Sequence, residues 1–131
     1  MKEPRWLTEE GIRKAHSELI VEHGGTDGIR DENMLGSALA RPRNLLAYGE
    51  PTIFNLAAAY AFGLARNHPF IDGNKRTALI AVYIFLGKNG YRLEADNAEA
   101  VAVIQDLASG ELSEEDLAKW IGINSGKSPK P

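Results

Sequence analysis

The sequence predicts an all-α protein, a compact bundle of about six helices around one core. Apolar residues recur three and four positions apart in most segments, which is the spacing of one helix face. A residue type that favours helix N-caps stands ahead of five of these segments: Thr8, Asp31, Thr52, Asp96 and Ser113. No convincing set of alternating segments predicts a β-sheet. With 131 residues, we expect a single domain over residues 1–124 and a disordered tail over residues 125–131.

The composition and charge of the chain argue against several classes of protein. The chain has no cysteine, which excludes disulfide bonds and thiolate metal sites. The formal net charge is -3, from 15 basic and 18 acidic residues, which argues against direct DNA binding. The longest apolar run, residues 77–87, is too short to cross a membrane, and the first residues lack the apolar segment of a signal peptide. These features predict a cytoplasmic protein with no membrane association.

The first third of the chain predicts two helices. The first follows Thr8 and ends at the glycine pair of residues 24–25. The second is short and covers residues 32–39. We expect it to end ahead of Pro42, because the residue before a proline is disfavoured in a helix. Residues 43–51 show neither helical nor strand period and are predicted to form a loop or a small hairpin.

Two apolar helices are predicted at the centre of the protein. The first, residues 53–67, has apolar residues on all sides and should be buried on most of its surface. The second covers about residues 76–89 and ends at Gly90. Between them lies a polar stretch, residues 68–76, which reads HPFIDGNKR. Because it places a base, an acid, an amide and two cations on a short loop between buried segments, it is the candidate functional site.

The last third predicts an extended link and two more helices. The link covers residues 91–93. One helix follows Asp96 and ends near residue 108, and the other follows Ser113 and ends near residue 121.

The positive residues of the polar stretch predict an anion site. Lys75 and Arg76 stand at a helix start, where the helix dipole disfavours cations, and a bound phosphate would reverse that penalty. Gly73 lets the backbone approach a ligand closely, and Asn74 can cap the helix or donate to a phosphate oxygen. Arg66 is either a further phosphate ligand or a cation favoured by the end of the preceding helix. The alternative for the whole set is a capped turn with two solvated cations.

The other polar residues suggest a base and a metal ligand. His68 precedes Pro69, which is expected to hold it extended, and its imidazole is a natural base for a hydroxyl group. A structural histidine is the alternative. Asp72 is either a helix N-cap or an oxygen ligand for Mg²⁺. The sequence contains neither zinc-ligand spacing nor the common glycine-rich nucleotide loops.

The polar stretch resembles the signature of Fic/Doc proteins, H-x-F-x-[D/E]-x-N-x-R, with all five fixed positions present. Residues 28–51 look like the segment that precedes this motif in Doc toxins, and the order of helices over about residues 5–122 agrees. The resemblance implies the Fic/Doc fold, with an active-site loop between the two central buried helices.

Two positions are similar to Doc toxins and differ from Fic enzymes that transfer AMP. Lys75 stands where most of those enzymes have glycine, and Leu79 stands where they have a second arginine. The resemblance therefore implies a toxin of a type II toxin–antitoxin system. Such a toxin is a protein kinase that uses ATP and Mg²⁺ to phosphorylate a Thr or Ser hydroxyl of elongation factor Tu, which arrests translation.

Two alternatives to the kinase remain. Gly73 stands where Doc toxins commonly have alanine, which keeps Fic-type AMP transfer to a protein hydroxyl as the first alternative. The second is a non-enzymatic module that binds a nucleotide or a partner protein.

The resemblance also implies roles for single residues. His68 would be the catalytic base and Asp72 the Mg²⁺ ligand. The residues predicted to bind nucleotide phosphates are Arg66, Gly73, Asn74, Lys75 and Arg76. Residues 43–51 resemble the flap that aligns an extended target segment through its backbone; the flap residues are Asn44, Leu45, Leu46, Ala47 and Tyr48. A loop packed into the core is the alternative for this segment.

No internal inhibitor is readable in the sequence. Fic proteins are restrained by a segment [S/T]-x-x-x-E-[G/N], but Glu10 and Glu32, the two glutamates followed by Gly or Asn, come four positions after Trp6 and Gly28. The resemblance therefore implies inhibition in trans by a small Phd-like antitoxin.

Overall fold

The computed structural model describes residues 3–128. These residues form six helices and two short strands: α1 (Glu9–His23), α2 (Glu32–Ala47), α3 (Ile53–Asn67), α4 (Asn74–Lys88), β1 (Tyr91–Leu93), α5 (Asn97–Ser109), α6 (Glu114–Ile123) and β2 (Ser125–Lys127). The predicted all-α bundle is confirmed. No helix within residues 3–128 is both long and apolar enough to cross a membrane.

The helix α3 forms the centre of the bundle. Its buried residues lie on every side: Leu56, Ala57, Ala58, Ala59, Tyr60, Ala61, Gly63, Leu64 and Ala65. The helices α2, α4, α5 and α6 all pack against it. Because a close-packed core resists displacement, these neighbours fix the end of α3 from which the polar loop departs.

The five predicted N-caps are confirmed. A side-chain oxygen accepts a hydrogen bond from the backbone N–H three residues later at Thr8, Asp31, Thr52, Asp96 and Ser113. Each cap satisfies one of the N–H groups that a helix start leaves without a partner. The helix α4 is different, since its N-cap is Gly73 and no side chain within the described residues bonds to its first N–H groups.

The helix α2 is longer than predicted, because it continues through Pro42 to Ala47. The predicted helix end before Pro42, and the loop or hairpin after it, are therefore wrong. Proline leaves one backbone hydrogen bond of the helix unmade. The helix persists because Pro42 is buried, and Leu45 and Leu46 pack against the core about one turn later. Burial of these apolar side chains offsets the missing bond.

Close packing of α2 against α3 depends on Gly63. A Cβ atom at Gly63 would lie 2.8 Å from the Cα of Ala38 and 2.9 Å from its Cβ. Real carbon atoms do not approach this closely without a shift of the backbone. The absent side chain of Gly63 is therefore what allows the two helices to meet at this crossing.

A short antiparallel sheet ties the end of the described chain to the residues after α4. The strand β1 pairs with β2, with Arg92 opposite Gly126 at the centre. The extended link predicted over residues 91–93 is confirmed, but the disordered tail is wrong for Ser125–Lys127. The last residues of the predicted tail, 129–131, lie outside the described residues. Three-residue strands are too short to show the alternation that identifies a strand in a sequence.

We predict that Gly63→Ala destabilises the protein by about 1–3 kcal/mol, because the new methyl group overlaps Ala38 and α2 has to move. Denaturant unfolding followed by circular dichroism measures this free energy.

The matched control for that substitution is Gly36→Ala. Gly36 lies within α2, the partner of α3 at this crossing, and no atom within residues 3–128 lies within 4 Å of a Cβ added there. We expect a stabilisation of about 0.5–1 kcal/mol from the better helix former. A Gly63→Ala protein as stable as the Gly36→Ala protein would contradict the close approach of α2 and α3.

Candidate active site

The polar loop between α3 and α4 opens into a cavity of about 460 Å³. The lining comes from the loop, the first turns of α4 and one face of α5: His68, Ile71, Asp72, Gly73, Asn74, Lys75, Arg76, Leu79, Val101, Ile104 and Gln105. The predicted base, the predicted metal ligand and all predicted phosphate residues except Arg66 are therefore brought together. Their chemical roles stay predictions.

One wall of the cavity was not predicted. Val101, Ile104 and Gln105 come from α5, about thirty residues after the motif. In the sequence, Val101 and Ile104 are recognisable only as apolar positions of a helix. Packing of α5 against α4 turns them into an apolar surface opposite the cationic residues.

His68 adopts the left-handed helical region, with φ 49° and ψ 56°. The prediction that Pro69 holds it extended is therefore wrong. His68 is the C-cap of α3, and this conformation turns the chain so that Pro69 and Phe70 are buried directly after it. Within residues 3–128 it is the only residue other than glycine with a positive φ. A strained backbone of this kind costs on the order of 1–3 kcal/mol and is typical of functional sites.

Arg30 stabilises the turn at His68. Its Nε donates a hydrogen bond to the backbone oxygen of His68 at 2.6 Å, and an Nη donates to that of Asn67 at 2.8 Å. Carbonyl groups at a helix end lack partners within the helix, so the guanidinium satisfies both of them. Arg30 was not predicted as a site residue, because nothing in the sequence around it indicates that it lies beside His68.

The segment between α1 and α2 runs alongside the loop and holds it through backbone hydrogen bonds. The N–H groups of Arg30 and Asp31 donate to the oxygen of Pro69 at 2.7 and 3.1 Å. The N–H group of Ile71 donates to the oxygen of Gly28 at 3.1 Å. The loop conformation is therefore set by a distant part of the chain as well as by its own residues.

Asn74 has a structural role. Its side-chain oxygen accepts from the N–H of Phe70 at 2.9 Å, and its amide nitrogen donates to the oxygen of Phe70 at 3.0 Å. Asn74 is buried, and both polar atoms of its side chain bind the loop. Its amide nitrogen carries a second hydrogen and Asn74 lines the cavity, so its predicted role in binding phosphate stays a prediction.

The start of α4 presents positive charge to the cavity. Gly73 has φ 80°, and the first N–H groups of the helix receive no side-chain cap. Lys75 and Arg76 follow in the first turn, are exposed, and form no ion pair within residues 3–128. A helix dipole, free N–H groups and two cations on one side of a cavity form an arrangement suited to an anion.

Asp72 is held at the edge of this positive region. Its Oδ2 accepts from the N–H of Thr26 at 2.8 Å. It does not cap α4, because that position belongs to Gly73. Its carboxylate is exposed and lines the cavity, so it fits a Mg²⁺ ion that takes its other ligands from phosphates and water. Residues 3–128 contain no group of three or more His, Asp or Glu side chains that could hold a metal alone.

Arg66 is not among the residues that line the cavity, so its position does not support its predicted role in phosphate binding. Its guanidinium carbon is 5.2 Å from the centroid of the Phe62 ring, a cation–π contact on another face of α3. Arg66 also lies in the last turn of α3, where a cation is favoured by the dipole. The position of Arg66 therefore matches the alternative prediction, a cation that is favoured by the C-terminal end of α3.

The first residues of the predicted flap are helical, and the flap residues are not among those that line the catalytic cavity. Its residues belong to the end of α2 or to its C-cap: Asn44, Leu45, Leu46, Ala47 and Tyr48. Three of them line a second cavity of about 430 Å³, which reaches Asn67, the residue before His68. Tyr48 is 92% exposed and is available for contact with a partner.

We predict that His68→Gly is more stable than His68→Ala by about 1 kcal/mol, because glycine adopts the left-handed conformation without a Cβ clash. Both variants lose the imidazole, so their difference in the free energy of unfolding reports the backbone alone.

A control pair two residues earlier has the opposite expected order. At Arg66, within the right-handed helix α3, the Ala variant should be more stable than the Gly variant by about 0.5–1 kcal/mol. Both sets of values come from denaturant unfolding. The same order at both positions would rule out strain at His68.

Comparison with known proteins identifies the family. The model of the Fic/DOC family matches residues 6–86. The chain is 33% identical over 115 residues to "Protein kinase doc" of Escherichia phage P1, covering 87% of this chain and 90% of that protein. It is 42% identical over 94 residues to "Toxin Doc" of Mycolicibacterium smegmatis (strain ATCC 700084 / mc(2)155), covering 70% of this chain and 69% of that protein. The chain therefore belongs to the Fic/DOC family.

Proposed function

We propose that the protein is the toxin of a type II toxin–antitoxin system and a protein kinase. It would transfer the γ-phosphoryl group of ATP to a Thr or Ser hydroxyl of a translation factor, elongation factor Tu, and so arrest translation. The observation that carries this proposal is the uncapped, cationic start of α4 beside the exposed imidazole of His68 in one cavity. The names of the two relatives, a kinase and a toxin, support the same function.

In the proposed reaction, His68 is the general base. Its imidazole takes the proton from the target hydroxyl, and the hydroxyl oxygen forms a bond to the γ-phosphorus of ATP. The bond from that phosphorus to the β,γ-bridging oxygen breaks, and ADP leaves with the electron pair. His68 is suited to this role because it is exposed at the cavity and its backbone is held by Arg30.

The residues at the start of α4 would hold the phosphates. The N–H groups at Gly73 and after it, with Lys75 and Arg76, offset negative charge in both the ground state and the transition state. Asp72 would hold Mg²⁺, which when bound supplies further charge neutralisation between the phosphates. Arg66 is left out of this set because it does not line the cavity, and Asn74 would donate through the second hydrogen of its amide nitrogen.

The target segment would be bound by side chains from the end of α2. The backbone groups of residues 44–47 lie within the helix, so they cannot pair with an extended peptide as a strand would. The exposed ring of Tyr48 and the second cavity, which reaches Asn67, offer the nearest surface for such a segment. We therefore propose that the side chains of Asn44, Leu45 and Tyr48 contact the target segment, instead of the predicted pairing through the backbone.

AMP transfer to a protein hydroxyl is the second candidate, and Gly73 is the observation that favours it. With φ 80°, Gly73 leaves the backbone at the start of α4 open to a ligand. Leu79 argues against it, since an apolar side chain lines the cavity where AMP-transferring enzymes have an arginine. A module that binds nucleotide or a partner without catalysis is the remaining alternative.

We further propose that a small Phd-like antitoxin inhibits the protein in trans. The motif of internal inhibition is not readable in this sequence, which supports an external inhibitor. A protein that acts on a translation factor would work in the cytoplasm, and the net charge of -3 does not favour direct binding to DNA.

The proposed reaction predicts which phosphate of ATP carries the label to the target. Purified elongation factor Tu should become labelled when incubated with the protein, Mg²⁺ and ATP labelled in the γ-phosphate. Labelling from the α-phosphate instead would establish AMP transfer. His68→Ala is the control and should lose at least about 100-fold in rate, since a positioned base contributes on this scale. An unlabelled target with both nucleotides would favour the binding module.

We predict that Lys75→Met lowers kcat/KM for ATP by about tenfold or more, because it removes a cation aimed at the phosphates. Lys88→Met is the matched control, since Lys88 is an exposed lysine at the other end of the same helix. Steady-state kinetics of both variants measure the effect. An equal loss in the two variants would exclude a local role for Lys75.

A further inference from the structure

A buried histidine of α1 lies directly beneath the active-site loop. His16 is 1% exposed, and its ring stacks on that of Phe70 with centroids 3.8 Å apart and planes 9° from parallel. A Cβ on Gly73 would lie 3.6 Å from the His16 ring, so the loop backbone packs closely against it. His16 does not line the catalytic cavity, and it therefore cannot touch a substrate there.

His16 makes a directed hydrogen bond to the loop backbone. Its Nε2 is 2.7 Å from the backbone oxygen of Asp72. A carbonyl oxygen can only accept, so Nε2 carries the hydrogen. On the other side of the ring, Nδ1 is 3.4 Å from Oδ1 of Asp27, a contact that becomes an ion pair only when the ring carries a second proton. The ring is fixed in position by its stacking on Phe70 and by the hydrogen bond from Nε2.

This hydrogen bond sets the direction of one peptide unit. The peptide bonds within residues 3–128 are all trans, so the carbonyl of Asp72 and the N–H of Gly73 point in opposite directions. Because the carbonyl points inward to His16, the N–H of Gly73 points away from the buried ring, and Gly73 is one of the residues that line the cavity. Glycine accepts φ of either sign, so this peptide unit could otherwise reverse at little cost.

We propose that His16 is a positioning residue for phosphate binding. By holding the carbonyl of Asp72, it keeps the N–H of Gly73 aimed at the bound phosphates and keeps the carboxylate of Asp72 at the cavity. The inference rests on the proposed function, since it assigns His16 to the same site. It also explains why a polar side chain is buried among apolar ones at this place: an aliphatic residue would fill the space but could not donate to the carbonyl.

Two substitutions separate the hydrogen bond from the packing. In His16→Gln, the side-chain amide nitrogen can reach the position of the imidazole Nε2 and donate to Asp72. In His16→Met, a side chain of similar length has no donor. Both variants lose the stacking on Phe70, so they should lose similar stability. We expect the Met variant to lose about tenfold or more in kcat/KM for ATP and the Gln variant to recover most of it.

A readout that does not depend on catalysis tests the same point. Inorganic tripolyphosphate is titrated into ¹⁵N-labelled protein, and the amide signal of Gly73 is followed by NMR. We expect this signal to shift in the parent and in His16→Gln, and to respond much less in His16→Met. A Gly73 signal that fails to shift in the parent, or that shifts equally in the Met variant, overturns the proposal.

The outcomes distinguish this inference from the proposed function. If Gly73 responds to tripolyphosphate in the parent and the response is lost only in His16→Met, the positioning role holds. If that same parent protein labels no target from either phosphate of ATP, the kinase proposal fails by itself. If the target is labelled and both His16 variants are equally active, the positioning role fails and the kinase proposal stands.

Discussion

The pair of hydrogen bonds between the side chain of Asn74 and the backbone of Phe70 is the contact on which the site depends. It closes the loop into a tight turn and buries both partners. The helix α4 begins at Asn74 with glycine before it, and no side chain within residues 3–128 caps its first N–H groups. Four of the other five capped helices begin after an Asp or Thr residue and the fifth after Ser, each of which satisfies an N–H group. The open start of α4 is therefore a local exception that leaves donors free for an anion.

The loop is held from two further directions. On one side, Arg30 and the backbone of the segment before α2 bind the carbonyls of residues 67–69. On the other, His16 binds the carbonyl of Asp72 and stacks on Phe70. These contacts maintain the left-handed backbone of His68, which a free chain would rarely adopt. The strain is tolerated because Pro69 and Phe70 are buried immediately after it, so relaxation of His68 would pull both out of the core.

The electrostatics of the site are local and differ from those of the whole protein. The chain carries a net charge of -3, yet Lys75 and Arg76 line one cavity at the start of α4 and form no ion pair within residues 3–128, although Asp72 adds a carboxylate to the same cavity. Val101 and Ile104 add an apolar surface to the same cavity. The overall charge thus argues against binding to nucleic acid, whereas the local arrangement of cations at the start of α4 favours a small phosphorylated ligand.

The order of the helices, the five N-caps, the two buried central helices and the position of the functional loop could all be predicted, because they depend on periodicity and on residue types at neighbouring positions. Other features depend on contacts between distant parts of the chain and are set by its packing. Pro42 stays within α2 because the core holds the residues around it, and Ser125–Lys127 form a strand because β1 lies beside them. Arg66, a plausible phosphate ligand by spacing, contacts Phe62 instead, while His16 and Arg30 reach the loop from far along the chain. The reason is physical: a sequence lists which groups can donate or accept, but packing decides which of them meet.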